Sequence, residues 1–153
     1  QAFSTGRGIL ILQASRFKGF ISRCQNRQAS NDQAWAHDNT GPSCNDGGFI
    51  YHPAGWSSAG GTKSYGSMTA VGIWSLRLCG VSVTDERVQA GLNWLTVNED
   101  CSFDDNPGHP HDQHHCFLYY LTILLDKFCD GGLPSVWCVL RLLYQYVKVS
   151  RKS

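Results

Sequence analysis

The chain has 153 residues, 42% of them hydrophobic and 16% charged, a balance that suits one globular domain. Its formal net charge is +1 and its Arg and Lys residues are scattered, so nucleic acid is excluded as an expected partner and no strong pull toward anionic lipid is expected. Lys148, Arg151 and Lys152 form the one basic group and read as a solvated end.

Residues 8–24 carry Ile9, Leu12, Phe17, Phe20 and Ile21 at helical spacing, interrupted by Gly19, and are expected to form a helix. The apolar run 8–12 within it stops at Gln13, Arg16 and Lys18, far short of the roughly 20 residues of a membrane span, so no transmembrane segment is expected. Gln1 in place of Met fits a processed or shortened start. Residues 26–61 are rich in Gln, Asn, Ser, Asp, Gly and Pro and read as a long, mobile loop. A helix is expected over 64–79, deeply buried on Met68, Val71, Trp74, Ser75 and Leu78, with Gly80 to stop it.

The next helix is expected to start at a Thr84 cap, with Asp85 and Glu86 in its first turn and an apolar face of Val88, Gly91 or Leu92, and Leu95, with Trp94 beside it. A loop over 98–111 carries Asp104, Asp105, Pro107 and Pro110. A helix over 112–128 with Phe117, Leu118, Tyr120, Leu121, Leu124 and Leu125 reads as buried nearly all round, and Asp130-Gly131-Gly132 ends it. The last helix, 135–149, carries Val136, Val139, Leu140, Leu143 and Val147. The expected fold class is all-α, without a sheet.

Twice an acidic, Gly-containing loop runs into a polar segment and then an apolar helix, and the equivalent points Met68 and His115 lie 47 positions apart. That spacing is typical of helix-pair repeats. Asp46-Gly47-Gly48-Phe49 resembles the loop signature after the outer helix in squalene-hopene cyclases and protein prenyltransferase β-subunits, the α/α-toroid proteins. Residues 66–73 (Gly-Ser-Met-Thr-Ala-Val-Gly-Ile) and Asp105-Asn106-Pro107-Gly108 followed by His115 resemble the bacterial proteins with prenyltransferase and squalene oxidase repeats, many of which have no assigned activity. The resemblance covers about residues 46–125 and divides the chain into an unassigned 1–45, repeats over 46–132, and a C-terminal helix with a basic tail over 133–153.

The resemblance implies inner helices at 64–79 and 112–128, outer helices at 84–98 and 135–149, and inner N-termini that face a central cavity. A closed toroid takes about five to seven such pairs, and each repeat buries its face only against neighbours. This chain has room for two and a fraction, so an open arc, a fragment or part of an oligomer is expected. Further repeats or a protein partner would then cap Val136, Val139, Leu140 and Leu143.

Asp104, Asp105, His109, His111, Asp112, His114 and His115 are the densest chemical cluster. They could hold zinc, with His109 and His115 as ligands, or simply form a polar, capped helix start. By resemblance, a prenyltransferase zinc site takes an Asp and a Cys from one inner helix start and a His from the next. His115 matches that His, but Tyr65-Gly66-Ser67 offers neither Asp nor Cys, so no cofactor is expected from the family pattern. The Asp-x-Asp-Asp acid of the cyclases and a D-D-x-x-D magnesium run are absent, and Asp104-Asp105 reads as a turn pair. Ser67, His115 and Asp112 lack a G-x-S-x-G context, and no phosphate-binding loop occurs.

Tyr51, Trp56, Trp74, Phe117, Tyr119 and Tyr120 could line an apolar cavity; Trp74, Phe117 and Tyr120 fit core filling better, whereas Tyr51 and Trp56 lie in the loop. The candidate ligand set is Tyr51, Trp56, Tyr65, Ser67, His111, His114 and His115. Of seven cysteines, Cys79, Cys116, Cys129 and Cys138 read as core residues, and Cys24, Cys44 and Cys101 as loop thiols open to oxidation. With no C-x-x-C pair, a reducing, cytoplasmic compartment is favoured. The expected function is a repeat module that binds a ligand or a protein, with an isoprenoid or other apolar small molecule as partner. The alternative is a fragment of a terpene cyclase or prenyltransferase-like enzyme.

Overall fold

The computed structural model describes residues 14–41, 44–97 and 106–109. Helix α1 occupies 14–22 of them, α2 runs Gly66–Leu78 and α3 runs Glu86–Val97, with a short 3-10 turn at Ala34–His37. Among the described residues there is no strand, only the isolated bridges Gln25 to Phe49 and His52 to Trp56, so the described part is all-α. None of the described helices is long and apolar enough to cross a membrane. The helices expected over 112–128 and 135–149 lie outside the described residues.

Helix α2 stops where the sequence says it should. Gly80 takes φ +74° and donates to Arg77 O at 2.9 Å, and Val81 N donates to Leu76 O at 3.1 Å, the paired bonds of a Schellman end. Leu76 and Val81 are both buried, which closes the apolar contact of that motif. A short turn then leads into α3, which packs against α2. Its cap is not Thr84 but Asp85, whose Oδ1 accepts Arg87 N at 3.0 Å while Gln89 N closes the first turn on Asp85 O at 3.0 Å. The adjacent Thr84 is drawn away because its own N–H donates to Ser82 Oγ at 3.2 Å.

The expected face of α3 is the observed one: Val88, Gly91, Trp94 and Leu95 are buried. The face of α2 differs from expectation. It buries Ala70, Ile73 and Leu76 together with Ser67, Thr69 and Gly72, whereas Leu78 is 63% exposed and Met68, Val71, Trp74 and Ser75 are only half-buried. The cause is Phe49. Its ring, 1% exposed, lies against the helix pair where a Cβ on Gly72 would come within 2.5 Å of Phe49 Cγ and one on Gly91 within 2.8 Å of Ile73 Cγ1. Small residues therefore mark the packed face, because only they admit the ring at this distance.

The described residues of 26–61 form no regular α-helix, as their composition requires, but they are tied into the fold by hydrogen bonds. Buried amides replace secondary structure as partners for the backbone. Gln25 Nε2 donates to Gly47 O at 2.9 Å and Arg87 O at 2.8 Å. Asn26 Nδ2 reaches Thr62 O at 2.8 Å and Ser64 Oγ at 2.9 Å, and Asn31 Nδ2 reaches Gln25 O at 2.7 Å and Arg23 O at 3.1 Å. Phe49 and Ile50 carry this segment into the core with Ile21 and Cys24 of the α1 end. Cys24 is accordingly a core thiol and not an oxidisable loop residue: burial pushes its pKa up to about 12. Phe17 and Phe20, expected on the apolar face of α1, are 54% and 47% exposed, and Ile21 is the residue of that helix in the core.

Candidate functional site

The two signature segments that carry the resemblance, Asp46-Gly47-Gly48-Phe49 and Asn106-Pro107-Gly108, meet at the start of α2. Asp46 Oδ1 accepts Gly48 N at 2.9 Å and Ser64 Oγ at 2.8 Å, so the first signature is tied to the residues that enter the helix. Tyr65 N donates to Phe49 O at 3.3 Å and Phe49 N donates to Thr69 Oγ1 at 3.1 Å, which lock the ring beside the first turn. Tyr65 occupies the N-cap position without a side-chain cap. The missing acceptor comes from the second signature: Ser67 N donates to Asn106 Oδ1 at 2.9 Å, and Asn106 Nδ2 donates back to Ser67 Oγ at 3.0 Å. Gly66 N donates to Pro107 O at 2.8 Å. Two of the free N–H groups of the helix end are thus satisfied by residues distant in the chain, Ser67 across a separation of 39.

Side chains complete the joint. A Cβ on Gly108 would collide with Ser64 O, and the His109 ring meets Tyr65 edge-on with centroids 5.5 Å apart. Both ring nitrogens of His109 are shielded from solvent and lack a hydrogen-bond partner among the described residues. Tyr65 and Ser67, two of the candidate ligand residues, are 3% and 4% exposed. The backbone N–H groups of Gly66 and Ser67 are already engaged, so this helix end holds the 106–109 turn and not an open anion site.

Tyr51 and Trp56 stand apart from that joint, on a hairpin closed by His52 N to Trp56 O at 3.1 Å and Gly55 N to His52 O at 3.1 Å. Their rings pack edge to face with centroids 5.3 Å apart, and each residue is 56% exposed. Underneath, Trp35 donates from Nε1 to Pro53 O at 2.7 Å and its ring supports Gly55. His52 Nδ1 accepts Ala54 N at 3.1 Å, which fixes the turn further. The hairpin thus leaves two large, mutually packed rings exposed at the surface.

The structure brings Tyr65, Ser67 and His109 together and leaves Tyr51 and Trp56 on the surface. His111, His114, His115, Asp104, Asp105 and Asp112 lie outside the described residues, as do Cys101, Cys116, Cys129 and Cys138. Among the described residues no three His, Cys, Asp or Glu side chains gather as a metal site. Cys24, Cys44 and Cys79 are free thiols. The Asn106 and Thr69 hydrogen bonds at this joint are not predicted from the sequence; the Asn-Pro-Gly run is the signal that marks the first. Comparisons with protein-family models, with curated proteins and with solved structures return no match.

Proposed function

We propose that the chain is a helical repeat scaffold of the prenyltransferase and squalene oxidase type that works by binding an apolar ligand of the isoprenoid kind. The repeat reading is supported by the turn 106–109, which immediately precedes the expected second inner helix and is fastened to the start of α2 through Asn106 and Pro107. Two inner helices that begin side by side would need such a fastening.

The observation that carries the binding reading is the Tyr51 and Trp56 pair. Large aromatics bury roughly 150–250 Å² each when covered. With about half of that still open, a ligand that covers both rings would gain on the order of 2 kcal/mol per ring from apolar burial alone. The hairpin is held by Trp35 and by buried Ile50, so little ordering cost offsets that gain. Calorimetric titration with farnesol tests the reading: saturable binding that weakens about tenfold or more in Trp56→Ala supports it, at about 1.4 kcal/mol per tenfold. Equal binding by both proteins, or none by either, refutes it.

A further inference from the structure

A groove that shares no lining residue with the aromatic hairpin lies where α1 meets the start of α3. It has a volume of about 600 Å³ and is lined by Arg16, Lys18, Ser22, Arg23, Asp32 and Arg87 among others. Four cations meet one carboxylate in it, although the whole chain carries a net charge of only +1. Each of two arginines is held by one edge. Arg23 donates from Nε and Nη2 to Asp32 at 2.7 and 2.6 Å, and Arg87 donates from Nε and Nη2 to Asp85 at 2.9 and 2.8 Å. A planar guanidinium clamped along that edge keeps further N–H groups aimed elsewhere in a fixed plane.

Ser22 lines the groove from a buried position, 6% exposed. Its Oγ accepts Arg87 Nη1 at 3.0 Å, which leaves the hydroxyl proton without an acceptor among the described residues. Arg16 and Lys18 make no ion pair among those residues and supply uncompensated charge at the rim. Asp32 and Asp85 are the opposing groups. Asp32 accepts Arg23 on both oxygens and Gln33 Nε2 on Oδ1 at 2.7 Å, and Asp85 accepts Arg87 on both of its own, so each carboxylate is already engaged by an arginine of the groove.

We propose that this groove binds a phosphate-class oxyanion, with the Ser22 hydroxyl and the outer edges of Arg23 and Arg87 as donors and with Arg16 and Lys18 as rim charges. The anion would accept hydrogen bonds from rigid donors, two of them charged, which is the arrangement that makes such contacts strong. The site is independent of the aromatic hairpin.

Calorimetric titration of the full chain with inorganic pyrophosphate at low salt tests the proposal. Ser22→Ala and the double variant Arg16→Gln/Lys18→Gln should each weaken binding by about fivefold to tenfold. Lys63→Gln, a charge loss outside the groove, should change it by less than about twofold, as expected for a screened surface charge. A parallel measurement uses vesicles of phosphatidylcholine with and without phosphatidic acid. Binding to the phosphatidic acid vesicles that depends on Ser22, without binding of pyrophosphate, assigns the site to a lipid headgroup; pyrophosphate binding assigns it to a free anion. Absence of both, or an equal loss in Lys63→Gln and in the double rim variant, overturns the proposal.

Discussion

Replacing Gly72 by Ala should destabilise this protein, although the rule for helices says the opposite. In an exposed helix interior Gly→Ala gains about 1 kcal/mol. Here the new methyl would stand 2.5 Å from Cγ of the fully buried Phe49 ring, so the ring or the helix must shift to admit it. Overpacking of this kind costs about 1–3 kcal/mol, so packing outweighs propensity and the net effect is a loss. Phe49→Ala should cost about 3–5 kcal/mol, because the ring is fully buried. With the Phe49 ring already gone, the methyl introduced by Gly72→Ala fills part of the space and its helix propensity is recovered. The double variant should then be more stable than the sum of the singles by roughly 1–3 kcal/mol. Urea unfolding followed by far-UV circular dichroism reads this as a midpoint, with about 1–3 kcal/mol per molar unit. A stabilised Gly72→Ala single variant, or strict additivity in the double, would refute the wedge.

Three further outcomes follow from local chemistry. Asp85 has its pKa lowered to about 2, first by the Arg87 fork, so its contribution is intact above the ordinary carboxylate range near pH ~4 and is lost as pH falls through about 2. Solvent screening holds that contribution to about 1 kcal/mol or less; Asp85→Asn should flatten this part of the acid unfolding curve, and an unchanged curve counts against the fork. Iodoacetamide at neutral pH should modify exposed Cys44 in the folded protein and spare Cys24 until it unfolds, read by peptide mass mapping; equal labelling would place Cys24 outside the core. Asn106→Ala should cost about 0.5–2 kcal/mol and deprotect the Ser67 amide to hydrogen exchange, because that N–H loses its acceptor. Retained protection would assign the cap elsewhere.

What could be read from the sequence depended on whether a residue acts locally. Val88, Gly91 and Leu95 repeat at helical spacing and face the core as expected, and Gly80 stops α2 because only a left-handed residue fits there. The α2 face departs from the pattern of its large residues because the close approach of Phe49 requires Gly72, and Thr69 bonds the Phe49 backbone. Polarity concealed the order of 26–61: Gln25, Asn26 and Asn31 are polar in composition but serve as buried partners for the backbone. Thr84 and Asp85 are both good caps, and the Arg87 fork on Asp85 is a tertiary detail. At the candidate site, the sequence marks Tyr51 and Trp56 as loop rings that could line a cavity, whereas the hairpin exposes them on the surface. Asn106 is visible only as part of the Asp105-Asn106-Pro107-Gly108 run, and its cap on Ser67, across 39 residues, leaves no pattern. The cations at 16, 18, 23 and 87 are scattered in sequence, so the near-neutral total hid their convergence.

The central claim is that successive inner helices of a repeat begin side by side, fastened by the 106–109 turn. The separation of the Met68 and His115 Cα atoms in a crystal structure of the full chain tests it most directly. Neighbouring packed helices lie about 8–10 Å apart, so the repeat arrangement requires a separation of roughly 8–12 Å with both helix starts on one side. Helix α2 has 13 residues and is about 20 Å long. A His115 near its far end, roughly 20 Å from Met68 with the two starts facing opposite ways, would contradict the account.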